Sequence, residues 1–303
     1  MDTEALPTKG FINEHLTYTH GMGLTLGPSN EVTAEGLPVL FIKDLPPVSS
    51  VALPIKRPQI YYGEQSNDFV LAPSRQREFD YPAGEGDAAV YSTYDGRGGV
   101  PVASFAARLL YALHFGSFNI LLSRDVTDRT RILYNRSVGE RARRALPFLL
   151  FDRDPYMVVA SDGRLKWLLD GYTTTDRYPY SQRARDGTNY MRNSVKVVID
   201  AYDGSTTFYV FDSTDPIIDA YRGLFPGLFK DAASMTVGTH NTIEDFSQSQ
   251  HDQIKFVDVA GVQSFNDLVI AQSATGTVIT AGADQVTLHN FTGSLTANDF
   301  LFV

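Results

Sequence analysis

Four carboxylates arrive in two short words, Glu78-Phe79-Asp80 and Asp152-Arg153-Asp154, and in each word the acids stand two residues apart. On an extended strand that spacing puts both side chains on one face. Two carboxylates facing one bond are what glycoside hydrolysis needs for its acid and its base. Spacing alone does not bring the two words together, and Asp152 beside Arg153 also reads as a loop ion pair. His20, in Tyr18-Thr19-His20-Gly21, could act as a base or serve as a hydrogen-bonded turn histidine. His15 and His20 are five apart, which is not the i, i+4 pair of a helical zinc site, and no H-E-x-x-H, G-x-S-x-G or cysteine nucleophile occurs.

Two glycine turns carry an arginine: Asp95-Gly96-Arg97-Gly98-Gly99 and Asp162-Gly163-Arg164. Such loops could hold a phosphate or carboxylate through backbone N–H groups and a guanidinium fork. They also suit plain turns, with Asp capping and Gly supplying positive φ, and neither has the spacing of a nucleotide-binding loop. Aromatic residues interleave with Asp, Asn and Arg at Tyr61-Tyr62, Tyr81, Tyr91, Tyr94, Trp167, Tyr172, Tyr178-Pro179-Tyr180 and Tyr190. Aromatic faces beside polar donors suit sugars or peptides. Tyr61, Tyr62, Asp95, Arg97, Trp167, Tyr178 and Tyr180 are therefore the candidate ligand-binding residues, against the alternative of a tyrosine-rich strand surface and core. Asp245, Asp252 and Asp258 could take calcium through oxygen ligands or simply solubilise the surface; no other cofactor is indicated.

The elements that must position these residues are mixed. Short apolar runs at 39–42, 69–71 and 132–134, parted by Gly, Pro and Asp, read as strands and loops. Val102, Phe105, Leu109, Leu110 and Leu113 recur at helical spacing, so 101–115 reads as an amphipathic helix opened by Pro101. Residues 138–146 form a second, more basic helix stopped by Pro147. Residues 194–200 and 206–211 flank Asp203-Gly204 as a hairpin, and Asp215-Pro216 opens a short helix toward Arg222. In the tail, 277–280, 285–288 and 300–303 read as brief strands. The fold class expected is α+β: a strand-rich body with a few helices, then a small all-β module.

A compositional break supports two modules, 1–238 and 239–303. No arginine follows Arg222, no tyrosine follows Tyr221 and no proline follows Pro226, while 239–303 holds seven acids against one base, Lys255. The whole chain of 303 residues is 43% apolar and 20% charged, the balance of a packed protein. Its net charge of −9 argues against nucleic-acid binding, since phosphate contacts need a basic surface. The absence of cysteine excludes disulfides and thiolate metal sites. The first ten residues have two acids and no apolar run, so no Sec-type signal peptide is expected. Residues 100–123 come nearest to a membrane span, but Arg108 and Gly116 favour a buried helical hairpin.

Several words of the body, among them HLTYTHG (15–21), RPQIYYGE (57–64), EFDYPAGEG (78–86), YDGRGGVP (94–101), FGSFNILLS (115–123), RILYNR (131–136), DRDPY (152–156) and RNSVKVVIDAYDG (192–204), resemble in order and spacing a bacterial family known as uncharacterised protein family 0182. The resemblance covers about 11–228. It implies a domain outside the cytoplasm that in family members follows several membrane spans, which this chain is expected to lack; it implies no reaction. The tail words NTIEDF (241–246), HDQIKF (251–256) and residues 275–303 resemble the end of type I secreted, repeats-in-toxin proteins. That likeness implies the type I secretion machinery as a partner and an export signal in Asp299, Phe300, Leu301, Phe302 and Val303. The family's calcium repeat is missing, so it transfers no ligand. The expected function is a secreted or extracytoplasmic interaction domain. The alternatives are an envelope hydrolase using loop carboxylates and a rearranged fusion without activity of its own.

Overall fold

A computed structural model describes residues 9–302 except 29–30, 52, 54, 66–67, 85–87, 161, 236–239, 244–245, 251, 257–258, 260–261, 274–275 and 283. The expected module boundary near 238 falls outside these residues.

The body is organised by one long hairpin. Leu165–Thr175 and Tyr190–Asp200, rich in Val, Ile, Thr and aromatic side chains, pair antiparallel from Lys166↔Asp200 to Thr175↔Tyr190. Alternation sends Leu165, Trp167, Leu169, Val195, Val197 and Ile199 into the main core, while Leu168 and Val198 join Tyr209 in a smaller cluster. The sheet extends through Leu150–Phe151 and Tyr156–Val159 on one side and Thr206–Val210 on the other. As expected, Asp203-Gly204 turns the chain between Tyr190–Asp200 and Thr206–Val210; Gly204 has φ +69, and a Cβ there would lie 2.5 Å from the Tyr62 ring. A crossover then adds Phe229–Asp231 parallel to Thr206–Val210. Its helix, Pro216–Leu224, is capped by the Asp215 carboxylate, which accepts from the Ile217 N–H, and Ile218 drops from it into the main core.

A second sheet, Val70–Ala72, Arg131–Leu133 and Val100–Pro101, lies between two cores. Val70, Ala72 and Leu133 face the main core; Leu71 and Ile132 face another made with Leu16, Val102, Ala112 and Ile120. Two helices cover that second core: α1 (Phe105–Phe115) and α2 (Asn119–Leu122), joined through Gly116 at φ +63. The expected helix therefore begins four residues late. Ser104 caps it, accepting from the Ala107 N–H at 3.2 Å, and Pro101, which lacks an N–H, ends an edge strand against Arg131. Of the expected apolar stripe, Val102 is buried in that core ahead of the helix and Leu109 is half-buried, but Phe105, Leu110 and Leu113 are exposed, and Tyr111, Ala112 and Phe115 pack on the core instead. The basic helix, expected over 138–146, runs Val138–Ala145 with Leu146 at its end before Pro147.

In the tail, His240–Ile243, Asp284–His289, Gly276–Ala281 and Val269–Ser273 form a four-stranded sheet in that order, and Ile254–Phe256 pairs parallel with Phe300–Phe302. Its hydrophobic cluster draws on residues 243–302, centred on Phe256, Ile279, Leu288 and Phe300. The fold is thus mixed α and β. Among the described residues no helix is long and apolar enough to cross a membrane.

Candidate functional site

Glu78, Asp80 and His20, three of the candidate catalytic residues, do meet. Glu78 and Asp80 lie on Glu78–Pro82, which pairs with Ala89–Ser92 across an irregularity between Phe79 and Tyr81. His20 immediately precedes Gly21–Met22, the partner of Gln59–Ile60. His20 Nε2 lies 3.1 Å from Asp80 Oδ1, and Nδ1 lies 3.0 Å from the Thr19 hydroxyl. That hydroxyl donates to Glu78 Oε2 at 2.6 Å, the Tyr61 hydroxyl donates to the same oxygen at 2.7 Å, and the Tyr94 N–H donates to Oε1 at 2.8 Å. Burial, followed by the Glu78 charge, raises the Tyr61 pKa well above the usual phenol value. The buried Arg136 guanidinium donates to the carbonyls of Tyr61 and Thr19, both at 2.6 Å, and to that of Asp68 at 3.3 Å. Desolvation lowers its pKa to about 10.

A histidine between two carboxylates has the parts of an acid–base site, but each is already used. Both ring nitrogens and both Glu78 oxygens have partners within the protein, and Glu78 and His20 are buried. A substrate would have to displace a bond that ties distant segments together. Asp152 accepts the Arg153 backbone N–H at 2.6 Å rather than pairing with its side chain, and Asp154 is exposed. Neither shares a partner with Glu78 or Asp80 among the described hydrogen bonds. The geometry is that of a structural hub.

The glycine loops are likewise tied to groups of the protein itself, although Asp95 and Arg97 are exposed. Asp95 is gripped by Arg57 in two bonds of 2.6 and 2.7 Å and accepts the Tyr202 hydroxyl at 2.7 Å. Arg57 first, then Tyr202, holds its pKa down at about 2. The carbonyls of Arg97, Gly98 and Gly99 all accept from the Arg131 guanidinium. The Gly98 N–H donates to the Tyr94 hydroxyl, and a Cβ on Gly98 would sit 2.0 Å from the Asp203 carbonyl oxygen. These glycines answer to packing, not to an anion. In the second loop, Arg164 donates to Asp200 at 2.8 Å and Asp203 at 3.0 Å. Tyr61, Tyr62 and Trp167 are core residues, the Trp167 indole donating to the Tyr62 carbonyl at 2.9 Å, so their role as ligand-facing aromatics is corrected. Their polar tips made them look like surface residues, but the tips are directed to interior partners or sealed in.

For calcium, Asp245 and Asp258 lie outside the described residues, and Asp252 accepts the Ser247 N–H at 2.9 Å. Among the described residues no group of three His, Cys, Asp or Glu could hold a metal ion. In the terminal word, the Asp299 carboxylate accepts from the Thr296 N–H and hydroxyl and from the Gln248 amide. Phe300 is buried in the tail core, Leu301 is exposed, Phe302 is partly buried, and Val303 is outside the described residues.

The tip of the long hairpin is exposed. Residues 176–186 are all exposed and include Arg177, Arg183 and Arg185 against Asp176 and Asp186. Tyr178 stacks on Tyr190 with ring centroids 4.6 Å apart and planes 20° apart, and the Arg192 guanidinium lies 5.8 Å over Tyr190. Asn189 grips the backbone of Tyr178 from both sides, accepting its N–H at 2.9 Å and donating to its carbonyl at 2.7 Å. Tyr180 stands fully exposed with φ +62, a left-handed conformation that costs a bulky residue roughly 1–2 kcal/mol. Beneath the stack lies Asp215, fully buried, accepting the hydroxyls of Tyr190 at 2.6 Å, Ser194 at 2.5 Å and Thr173. Burial opposes its charge, yet those hydroxyls and the Ile217 N–H outweigh burial and lower its pKa. Burial and Asp215 together push the Tyr190 pKa up to about 12. Sequence reasoning found Tyr178 and Tyr180 but left Tyr190, Arg192 and the Asn189 clamp out of the binding set; the arginines of 183–185 beside the tyrosine pair were the signal.

Comparison with known proteins comes from the body. A model of an uncharacterised protein family, UPF0182, matches residues 1–244. A UPF0182 protein of Geobacter sulfurreducens is 51% identical over 231 residues, covering 76% of this chain and 26% of that protein. Those of Trichlorobacter lovleyi and Geotalea uraniireducens are 49% and 50% identical, covering 77% and 78% of this chain and again 26% of each relative. The chain spans about a quarter of the length of these curated relatives. No solved structure matches it.

Proposed function

This chain belongs to the uncharacterised protein family UPF0182, and from that premise we propose that it is an extracytoplasmic binding domain whose long hairpin presents an aromatic and cationic tip to an anionic glycan. The family name carries no reaction, so the reading rests on the tip itself. One observation carries it: Tyr180 is held fully exposed in a strained backbone conformation beside a clamped Tyr178–Tyr190 stack. Strain and an exposed aromatic surface are both costs to a chain that does not use them. A stiff tip loses little entropy on binding, tyrosine rings offer faces to sugar C–H groups, and Arg177, Arg183 and Arg185 offer forks to carboxylate or phosphate substituents.

Titration calorimetry against acidic and neutral polysaccharides tests this. Acidic chains should bind more tightly than neutral ones and less tightly as salt rises, and Tyr180→Ala should weaken binding about tenfold, the worth of one aromatic stack. Equal binding by the Tyr178→Ala/Tyr180→Ala double variant, or flat titrations with every glycan, would sink the proposal. The same reading puts the domain outside the cytoplasm, with residues 299–303 read by a type I exporter before the tail folds. It needs no cofactor. A carboxylate hydrolase is not proposed, because Glu78 is buried and both convergent acids are already partnered within the protein.

A further inference from the structure

The side chains around His20 fix how many protons this part of the interior holds. From Asp80 Oδ1 through His20 Nε2 and Nδ1 and the Thr19 hydroxyl to Glu78 Oε2 there are three gaps, of 3.1, 3.0 and 2.6 Å. Each is a hydrogen-bonding distance and needs one proton, because two bare acceptors so close repel. A neutral imidazole and a hydroxyl supply one each. The third must come from solvent, whichever way the hydroxyl turns. Neighbouring donors do not provide it: the Tyr61 hydroxyl and the Tyr94 N–H already donate to Glu78, and the Gln59 amide donates to both Asp80 oxygens, at 3.3 and 3.2 Å. Imidazole is more basic than a carboxylate, so the extra proton sits on the ring.

Charge balance leads to the same place. The side chains of His20, Glu78 and Asp80 are 0%, 1% and 8% exposed, and among the described residues no Lys or Arg pairs with either acid. Two carboxylates at that depth are costly without a cation, and a doubly protonated ring between them removes the cost. The other titratable groups facing the cluster do not compete for this role. Arg136 points at the carbonyls of Thr19 and Tyr61, and burial keeps Tyr61, Tyr94 and Tyr202 as neutral phenols. We infer that His20 is held doubly protonated between Asp80 and Glu78, and that its second proton is the pin of a pH-operated latch on residues 13–22. Thr19 and His20 follow Asn13–Thr17, whose Leu16 lies in the second core, and precede Gly21–Met22, paired with Gln59–Ile60. Without the proton, two acceptors face each other where these segments join. A proton bound by the folded chain and released by the unfolded one favours folding at low pH, and its contribution falls as pH rises. The latch therefore opens toward alkaline pH. It uses no residue of the hairpin tip and stands apart from the glycan reading.

The test is nitrogen-15 NMR of the histidine rings in the labelled full chain at about pH 7.5, a unit above the ordinary histidine value. The His20 ring is assigned as the signal missing from His20→Gln or, where that variant does not fold, as the one displaced in Asp80→Asn. Both of its nitrogens should be of the protonated type, with the exposed His114 as the reference for a ring free to release its proton. In Asp80→Asn the amide itself donates to Nε2, and His20 should return to a single ring proton. A bare ring nitrogen on His20 in the parent overturns the inference. Hydrogen exchange from about pH 6 to about pH 9 reads the latch, below the pKa of about 10 to which burial lowers Arg136. After correction for intrinsic rates, protection of residues 19–22 and 59–62 should fall at least about tenfold relative to the long hairpin, the effect of one buried unpaired acceptor. That fall should be absent in Asp80→Asn. No fall in the parent, or the same fall in Asp80→Asn, also overturns it.

Discussion

Asp215 is where fold and binding surface join, and its replacement has a calculable effect. Its carboxylate accepts three hydroxyls and one backbone N–H, and two of the donors, Thr173 and Ser194, are themselves buried. Asp215→Asn keeps the helix cap, because Asn caps as well as Asp, and keeps one oxygen for Tyr190 and Ile217. It loses the charge. A hydrogen bond to a charged group contributes about 1.5–3 kcal/mol against about 1 for a neutral one, so two such bonds lose about 2 kcal/mol in total. Asp215→Ala also strands the two buried hydroxyls and uncaps the helix, for about 4 kcal/mol. The sign with pH follows from the depressed folded-state pKa of Asp215. Its charge contributes stability that is present above the unfolded carboxylate pKa of about 3.9 and is lost as pH falls through the lower folded value. Urea unfolding followed by circular dichroism should therefore show the parent and Asp215→Asn well separated at neutral pH and converging as pH falls below the unfolded carboxylate value of about 3.9. A gap that is the same at both pH values, or absent at neutral pH, refutes the assignment of Asp215 as an ionised anchor.

Glu78→Gln sets an amide where the carboxylate receives only donors, and should cost about 3 kcal/mol in the same urea assay while leaving glycan binding by the folded fraction unchanged. A loss under about 0.5 kcal/mol would show that the hub is not holding the body together. For export, Leu301→Asp alters the terminal apolar word at a side chain that is 44% exposed, avoiding the buried Phe300. Cell fractionation should find this variant retained, and undiminished secretion would remove the type I reading.

Local chemistry made some of this structure legible. Asp203-Gly204 announces a hairpin because only a residue tolerant of positive φ fits beneath the Tyr62 ring, and Asp215-Pro216 announces a helix start because a cap and a pre-set φ stand side by side. The start of α1 was not legible in the same way. Pro101 fits a first helical turn or a strand end equally well, and the choice was made by pairing with Arg131, thirty residues on. The meeting of His20 with Glu78 and Asp80 depends on two separate strand pairings and an irregular register, none of which leaves a local mark. Tyrosine was the most ambiguous letter: Tyr61 and Tyr180 read alike in sequence, and one is buried against Glu78 while the other is fully exposed.

The words that carry the family resemblance show where activity is to be sought. Thr19 and His20 come from HLTYTHG, Tyr61 from RPQIYYGE, Glu78 and Asp80 from EFDYPAGEG, Tyr94 and Asp95 from YDGRGGVP, Arg131 and Arg136 from RILYNR, and Asp200 and Asp203 from RNSVKVVIDAYDG. In three dimensions most of these residues bond to one another, while Asp95 bonds to Arg57 and Tyr202 and Arg131 to the carbonyls of residues 97–99, which belong to the same words. The resemblance is therefore written mostly in this network of partnered side chains. FGSFNILLS departs from this pattern, since it buries Ile120 yet exposes Phe118 and Leu122 to solvent. An interior requirement accounts for Ile120 and for nothing on the outer side. A contact made outside the domain is what would give Phe118 and Leu122 their apolar character.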